Sequence, residues 1–526
     1  MGVRYYIKTQ KNKMIAKKNK MHIFCFIVTM AVFICINQAF GQNNSRLNGL
    51  PNIVFILADD MGYGDVSCYN KESKIQTPNI DKLASEGIMF TDAHSPAAMC
   101  TPTRYGLLTG RYCWKTRVKK WVILGYDETP LIEKGQSTVG SLLQNKGYST
   151  ACIGKWHLGL NWQTKNGYVI KDDKDNWKDD PTVLMENERN IDFTKSTSGG
   201  PNELGFNYSF ITLGCSTSDP PYCYIENNKT VGIPDKPSPP EYFGLPGFAP
   251  GLTAPDFSIK NVDSVFTYKA IDFIDNHLKE SKDSPFFLYL ALSSPHNPFI
   301  PPAFAEGKSN AGPRGDLVTV VDWSVGLINE TLEKYGLSKN TLFIVTSDNG
   351  AIKGVNGHKS EANFRGYKTE ALEGGHRVPF IARWPGKIKK GSASIEQISL
   401  TDMFATFAKL TSTKIKPAEA EDSYNVLPSL FGKKVSHSKD NVRVYHSGAG
   451  VFAIRQGDWK LISGTKNSAI AKKENSVSDA PDQLYNLTLD PYEKNNLQEK
   501  EPEKVIQLNG MLDEYIEGRR NAKNGL

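Results

Sequence analysis

Four short stretches carry side chains able to do chemistry together. "NIVFILADD" ends in Asp59 and Asp60, and "TLFIVTSDNG" ends in Asp348 and Asn349. "YSTACIGKWHLG" runs through Lys155 and His157, and "FFLYLALSSPHNP" reaches His296. Asp59, Asp60, Asp348 and Asn349 are all hard oxygen donors, a set that suits Ca²⁺ or Mg²⁺ and not a zinc pair held by histidines. A helix cap or turn is a poor account of the Asp pair, because two adjacent carboxylates repel unless something positive holds them. Taken singly, each lysine is more often a solvated charge and each histidine a satisfied core or turn residue. A fifth stretch, "AAMCTPTRYGLLTGR", sets Cys100 before a proline and two arginines. From the residues alone, this thiol is a nucleophile, a disulfide partner or a core residue.

The elements that must position these groups follow from periodicity. The four apolar runs are near-continuous, which suits strands buried on both faces in a mostly parallel sheet. Helical patterns alternate with them: "PNIDKLASEGI", "STVGSLLQNKG", "DSVFTYKAIDFIDNHLKE" and "VTVVDWSVGLINETLEKYG". The first has Pro at its start and Gly at its end, as helix termini prefer. Strand–helix alternation gives an α/β class: a large mostly parallel sheet sandwiched by helices. Ligands of open α/β sheets bind outside the carboxyl ends of the strands. All four polar clusters sit at such ends, so they should converge on one site. Residues 161–260 are rich in Asn, Asp, Pro, Gly and aromatics and read as long functional loops. Trp162, Trp177, Tyr222, Tyr224 and Tyr242 could stack on sugars, but packing is the commoner fate of such residues. After about residue 415 the pattern changes to strand–turn–strand around Gly457-Asp458, then a terminal helix, "EPEKVIQLNGMLDEYIEGRR". The expected division is 1–41 leader, 42–415 catalytic domain and 416–526 a smaller antiparallel sheet plus helix.

The bulk numbers bound the partners. The 526-residue chain has a formal charge of +7. Residues 1–41 hold Arg4, Lys8, Lys11, Lys13, Lys17, Lys18 and Lys20 and no acid, so the remainder is +7 − 7 = 0. That leaves no global footprint for nucleic acid. The basic start and the apolar run Ile23–Ile36 are too short for a membrane span, and Ala39 and Gly41 offer a small-x-small cleavage site. A secretory signal is expected, with Met1 or Met21 as start, and hence export to the periplasm or outside the cell. Export permits disulfides. Of the six cysteines after the leader, Cys215 and Cys223 are near enough in sequence to suggest a pair.

"CTPTR" at 100–104 with "LLTGR" at 107–111 resembles the signature of the type I sulfatases of the alkaline phosphatase superfamily. "ADDMGYGD", "GKWHLG", "SPHNP", "SDNG" and "FRGYKTEALEGGHRVPFIARWPG" extend the resemblance in order, and "AIRQGDWKLI" and "LYNLTLDPYEKNNL" look like the family's small domain. The resemblance implies that a separate maturation enzyme oxidises Cys100 to formylglycine (3-oxoalanine). One hydroxyl of the hydrated aldehyde would attack sulfur, and the other would lose its proton and expel sulfate. It implies Ca²⁺ rather than Mg²⁺, held by Asp59, Asp60, Asp348, Asn349 and residue 100. It implies that Arg104 holds the aldehyde and metal ligands, and that Lys155 and Lys368 contact sulfate oxygens. His157 would take the second hydroxyl's proton, and His296 with Lys368 would assist the leaving alkoxide. His94 is read as structural, while His376 and Arg377 are placed near the pocket.

"CSTSDPPY" and its surroundings resemble N-acetylgalactosamine-6-sulfatases, which implies a 6-O-sulfated galactose-type substrate. The rivals are a phosphodiesterase or phosphonate monoester hydrolase of the same superfamily, and a non-catalytic glycan-binding protein on this fold. Phosphate-type relatives tend to carry Asp-His where this chain has Asp348-Asn349, and none of the expected catalytic positions is lost.

Overall fold

The computed structural model describes residues 49–125, 129–167, 188–434, 442–464 and 481–519. The expected leader, residues 1–41, and Trp177 lie outside the described residues. The elements below all fall within the unit Pro51–Leu526. Among the described residues, no helix is long and apolar enough to cross a membrane.

The main sheet contains β1 (Asn52–Ala58), β2 (Ile88–Phe90), β3 (Ser149–Lys155), β4 (Tyr208–Thr212), β5 (Tyr224–Glu226), β6 (Lys229–Val231), β7 (Phe286–Ala291), β8 (Thr341–Ser347), β9 (Phe380–Arg383) and β10 (Ser392–Ser394). Their order is β10-β2-β9-β8-β1-β7-β3-β4-β5-β6. The five central strands, β8 through β4, are parallel, and antiparallel partners flank them on each side. The four apolar runs of the sequence are four of these central strands, buried almost throughout. Charged groups are too costly on either face of such strands, so their first charged side chains appear where the strands stop.

Helices α1 (Pro78–Glu86), α2 (Cys100–Thr109), α3 (Val262–Glu280), α4 (Gly312–Lys334) and α5 (Pro502–Ile516) supply the layers. Helix α3 buries Phe266, Ala270 and Ile274, spaced four apart on one face, against β3 and β7. Each large apolar side chain buried this way contributes about 1.5–3 kcal/mol. Helix α4 packs on α3 and α1, and α2 packs on the helix Met403–Leu410.

The reading of residues 161–260 as loops needs correction. Tyr208–Thr212 is a full parallel member of the main sheet, paired with β3, and Tyr224–Glu226 and Lys229–Val231 extend it. Five residues between Gly205 and Gly214 give too short a run to show a period against the surrounding turn residues. The aromatics there are mainly packing residues. Trp162 meets Phe193 edge-on, Tyr222 stacks on Phe248, and Tyr224 stacks on Phe210.

A second, antiparallel sheet runs β11 (Val442–His446), β12 (Phe452–Gln456), β13 (Trp459–Ile462) and β14 (Gln483–Asn486) in order. Gly457, at φ +59°, turns β12 into β13. Leu508, Leu512 and Tyr515 of α5 close a core with Val444, Phe452, Ile454 and Leu461, which Tyr112 and Trp114 join.

Candidate active site

Strand register brings the tips together. Ala58 pairs with Ser347, Leu57 with Ala291, and Ala291 with Gly154. Asp59-Asp60, Asp348-Asn349, Lys155 and the turn to His296 therefore leave the sheet side by side. The turns are tight: Asp60 and His157 both have left-handed backbones, at φ +68° and +57°. Such conformations cost energy in non-glycine residues and concentrate at functional sites. A Cβ at Gly154 would lie 1.8 Å from the Ala291 carbonyl oxygen, so only glycine lets β3 run this close to β7.

Helix α2 starts with Cys100 above these tips. Arg104, one turn later and so on the same side, reaches down. Its Nε and Nη2 donate to Asp348 Oδ2 at 3.1 and 2.7 Å, and its Nη1 donates to the Lys155 carbonyl at 2.9 Å. Thr101 adds a bond from its hydroxyl to the His157 carbonyl at 3.0 Å. Lys368 arrives on a loop pinned at both sides of the fold. Thr369 N–H donates to the Ala98 carbonyl, and Gly448 N–H of the small sheet's first turn donates to the Thr369 carbonyl, both at 2.9 Å.

The gathered groups are almost wholly shielded from solvent. Lys155 Nζ donates to Asp59 Oδ2 at 2.5 Å, and Lys368 Nζ to Asp60 Oδ2 at 2.7 Å. Asn349 Nδ2 donates to Asp60 Oδ1 at 2.7 Å and to the Gly350 carbonyl at 2.9 Å, which turns Asn349 Oδ1 inward. Asn349 Oδ1 and Asp59 Oδ1 are buried and accept no hydrogen bond. Ligating atoms of Asp59, Asp60, Cys100 and His296 lie within 4.8 Å of one another. Buried acceptors without donors are costly, and a set of carboxylate and amide oxygens fits a hard cation. Burial opposes the charge of Asp59, yet Lys155 and the other nearby cations hold its carboxyl well below the usual range. Burial and the Asp59 charge push Asp348 well up.

The two histidines are biased in opposite directions. His157 Nε2 lies 2.8 Å from the Ile123 carbonyl, which can only accept, so Nε2 carries the hydrogen and Nδ1 is free to take a proton. Burial and then Lys155 lower its pKa. His296 Nδ1 donates to the Asn297 carbonyl at 2.6 Å and leaves Nε2 toward the site, 3.8 Å from Asp60 Oδ2. Burial works against its protonated form, but with Asp59 and Asp60 beside it the pKa is raised.

Sequence reasoning missed Cys215. The Cys215–Cys223 pair that the spacing only suggested does not form: both are free and buried. Cys215 Sγ instead accepts from Lys155 Nζ at 2.7 Å and lies 3.6 Å from His296 Nε2 and 3.9 Å from His157 Nδ1. Two cysteines eight apart in a Pro-rich loop suggested a clip, and only the course of the loop after β4 reveals which way the thiol turns. His376 and Arg377 are not at the pocket. They are buried in a separate cluster with Glu373 and Lys460, and His94 joins them there as structural.

The comparisons agree with the gathered tips. The family described as Sulfatase matches residues 51–413. The chain belongs to the sulfatase family. This sulfatase is 33% identical to an N-acetylgalactosamine-6-O-sulfatase of Bacteroides thetaiotaomicron, over 94% of its own length and 99% of the relative's. It is 32% identical to human arylsulfatase A, over 85% of its own chain and 83% of that protein. A solved 6S-sulfatase from a study of glycosaminoglycan metabolism by Bacteroides thetaiotaomicron superposes with a TM-score of 0.75 at 31% identity, covering 89% of this sulfatase and 99% of that chain. As a sulfatase, the protein is a sulfuric ester hydrolase.

Proposed function

We propose that this sulfatase removes sulfate from a carbohydrate, with Cys100 converted to formylglycine and Ca²⁺ held by Asp59, Asp60, Asp348, Asn349 and residue 100. The observation that carries the reading is the pair of buried acceptors, Asp59 Oδ1 and Asn349 Oδ1, that no hydrogen-bond donor reaches. Ca²⁺ suits this donor set better than Mg²⁺, which keeps several of its waters. When bound, the cation would draw charge from a sulfate oxygen and polarise residue 100. Formylglycine, made by a separate maturation enzyme, would supply a hydrated aldehyde as nucleophile.

The chain's own residues divide the remaining work. Lys155 and Lys368 turn their ammonium groups toward the sulfate position and offset its negative charge. Arg104 bridges Asp348 and the Lys155 carbonyl, holding two strand tips and residue 100 in one arrangement. His157 takes a proton at Nδ1, because Nε2 is committed to Ile123. His296 gives a proton from Nε2 to the departing oxygen, with Lys368 alongside. A sugar alkoxide leaves poorly at neutral pH, so this assistance is worth about 10²–10⁴-fold.

The substrate we favour is a 6-O-sulfated galactose or N-acetylgalactosamine residue. Its support is the "CSTSDPPY" loop and the similarity to N-acetylgalactosamine-6-sulfatases of Bacteroides thetaiotaomicron and mouse. The leader 1–41 makes the protein exported, periplasmic or secreted, with 42–415 as catalytic domain and 416–526 as the smaller one. The test is sulfate release by matured protein from a panel of defined sulfated saccharides, with the mass of the peptide around residue 100 measured alongside. The expected result is fastest release from 6-O-sulfated galactose-type sugars, loss on chelation and recovery with Ca²⁺. Binding without turnover across the panel would favour a glycan-binding protein, and faster hydrolysis of phosphodiesters to phosphomonoesters would favour the other rival.

A further inference from the structure

The turn that delivers His296 is gripped from below by one side chain that the chemistry above does not use. Asp263 lies in the first turn of α3 and is 2% exposed. Its Oδ1 accepts the Ser293 N–H and its Oδ2 the Ser294 N–H, each at 2.7 Å. Both oxygens are thus committed to consecutive amides of the turn, two and three residues before His296. No cation faces this carboxyl group among the described residues; burial and the Asp59 charge push its pKa up, and the two amide bonds oppose them. A favourable N-terminal helix field offsets part of the cost of burial.

The grip is anchored and it propagates. Thr267 Oγ1 ties the Asp263 carbonyl at 2.7 Å and Ser324 Oγ of α4 at 2.8 Å. The Ser294 carbonyl accepts the Asp59 N–H at 3.1 Å, and His296 N–H returns to the Ser293 carbonyl at 2.9 Å. From the other side, Thr217 Oγ1 donates at 3.0 Å to the Asn297 carbonyl that also fixes His296 Nδ1. The imidazole is therefore aimed by two supports, one on its tautomer and one on its backbone, and Asp263 is the second.

We propose that Asp263 is a positioning residue for His296, holding Nε2 at the place where the leaving oxygen must be protonated. The proposal rests on the proton-donating role given to His296. A general acid matters in proportion to how poor the leaving group is, and this separates positioning from mere stability. In the matured enzyme, Asp263→Asn keeps the side chain's shape but sets an amide N–H against a backbone N–H and loses one of the two bonds. The expected kcat on a sulfated sugar falls about 10- to 100-fold, with KM changed less than about threefold. On nitrophenyl sulfate, whose leaving group needs no proton, the fall is under about threefold.

His296→Ala measured beside it separates the two ideas. If that variant does not lose sugar sulfates more than nitrophenyl sulfate, the role of His296 fails. If it does and Asp263→Asn loses both substrates equally or neither, the positioning role of Asp263 is overturned. Asp263→Ser, which keeps one acceptor, serves if the Asn variant does not fold. Failure of both to give folded protein by circular dichroism would assign Asp263 to folding and also overturn the proposal.

Discussion

Two clusters of charged side chains are buried in this sulfatase, and counting charges does not tell them apart. At the strand tips, Asp59, Asp60 and Asp348 face Arg104, Lys155 and Lys368. Farther along the sheet, Asp92, Glu373 and Glu493 face Arg377, Arg455 and Lys460. The second cluster forms a directed chain of hydrogen bonds. Lys460 can only donate, so it gives to His376 Nε2 at 2.9 Å, and His376 Nδ1 then donates to His94 Nδ1 at 3.0 Å. His94 Nε2 in turn donates to Asp92 Oδ1 at 2.7 Å. Glu373 spends Oε1 on Lys460 and Oε2 on Arg377. The first cluster lacks this closure: Asp59 Oδ1 and Asn349 Oδ1 accept nothing, whereas Glu493 Oε1, the second cluster's carboxylate oxygen without a hydrogen bond, lies 2.8 Å from the Lys460 ammonium. Closure marks a lock between the main sheet and the small one. Unspent buried acceptors at strand ends mark a place built for something else to bind.

The sharpest way to break that contrast is to remove a group from each side. Cys100→Ala should lower sulfate release by about 10⁴-fold or more, since a nucleophile acts as a unit with its supports. Its thermal midpoint should stay within a degree or two, about 0.5 kcal/mol in effect. Retained turnover would remove residue 100 from the chemistry. Glu373→Gln should do the opposite. It takes the charged Glu373 partner from Lys460 and Arg377, which keep Glu493 and Asp92, at a cost of about 1.5–3 kcal/mol in stability, read by urea unfolding. The folded fraction should keep sulfate release within about threefold. A Glu373→Gln protein as stable as the parent would show that the lock is ornamental.

The polar tips were legible in the sequence because a doubly buried strand can show charge only where it ends. Asp59, Lys155, His296 and Asp348 each follow such a run, and the parallel register does the rest. What stayed hidden depends on contacts between residues far apart in the chain. Nothing near Lys460 announces His376, 84 residues earlier. His376 and Arg377 therefore looked like pocket residues, because they share a motif with Lys368. The strand Tyr208–Thr212 was lost for a local reason, its brevity between glycines, and with it went the means of seeing where Cys215 turns.

Acid should strain the region of the small sheet. His446, at the end of β11, is buried, and burial lowers its pKa to about 4. The unfolded histidine titrates near 6.5, so between those values the unfolded chain binds a proton that the folded chain refuses. Stability therefore falls as pH drops from about 6.5 toward 4, by about 3 kcal/mol for this group. His446→Gln should flatten that part of the profile in thermal melts at stepped pH. An unchanged slope would move the acid sensitivity elsewhere.

The smallest expected effect tests the open cluster from inside. In the matured form proposed above, residue 100 would carry no thiol, and burial pushes the thiols of Cys113, Cys152 and Cys223 up, away from thiolate. Cys215 alone among the described cysteines besides Cys100 has its sulfur against Lys155 and both histidines. Cys215→Ser keeps an acceptor for the Lys155 ammonium, so sulfate release should fall only about 3- to 10-fold. A small methanethiosulfonate reagent should inactivate the matured parent, and inorganic sulfate should slow it by filling the same space. The serine variant should resist. Inactivation of that variant at the parent's rate would mean that another thiol controls the site, and Cys215 would then belong with the closed, inert side of the molecule.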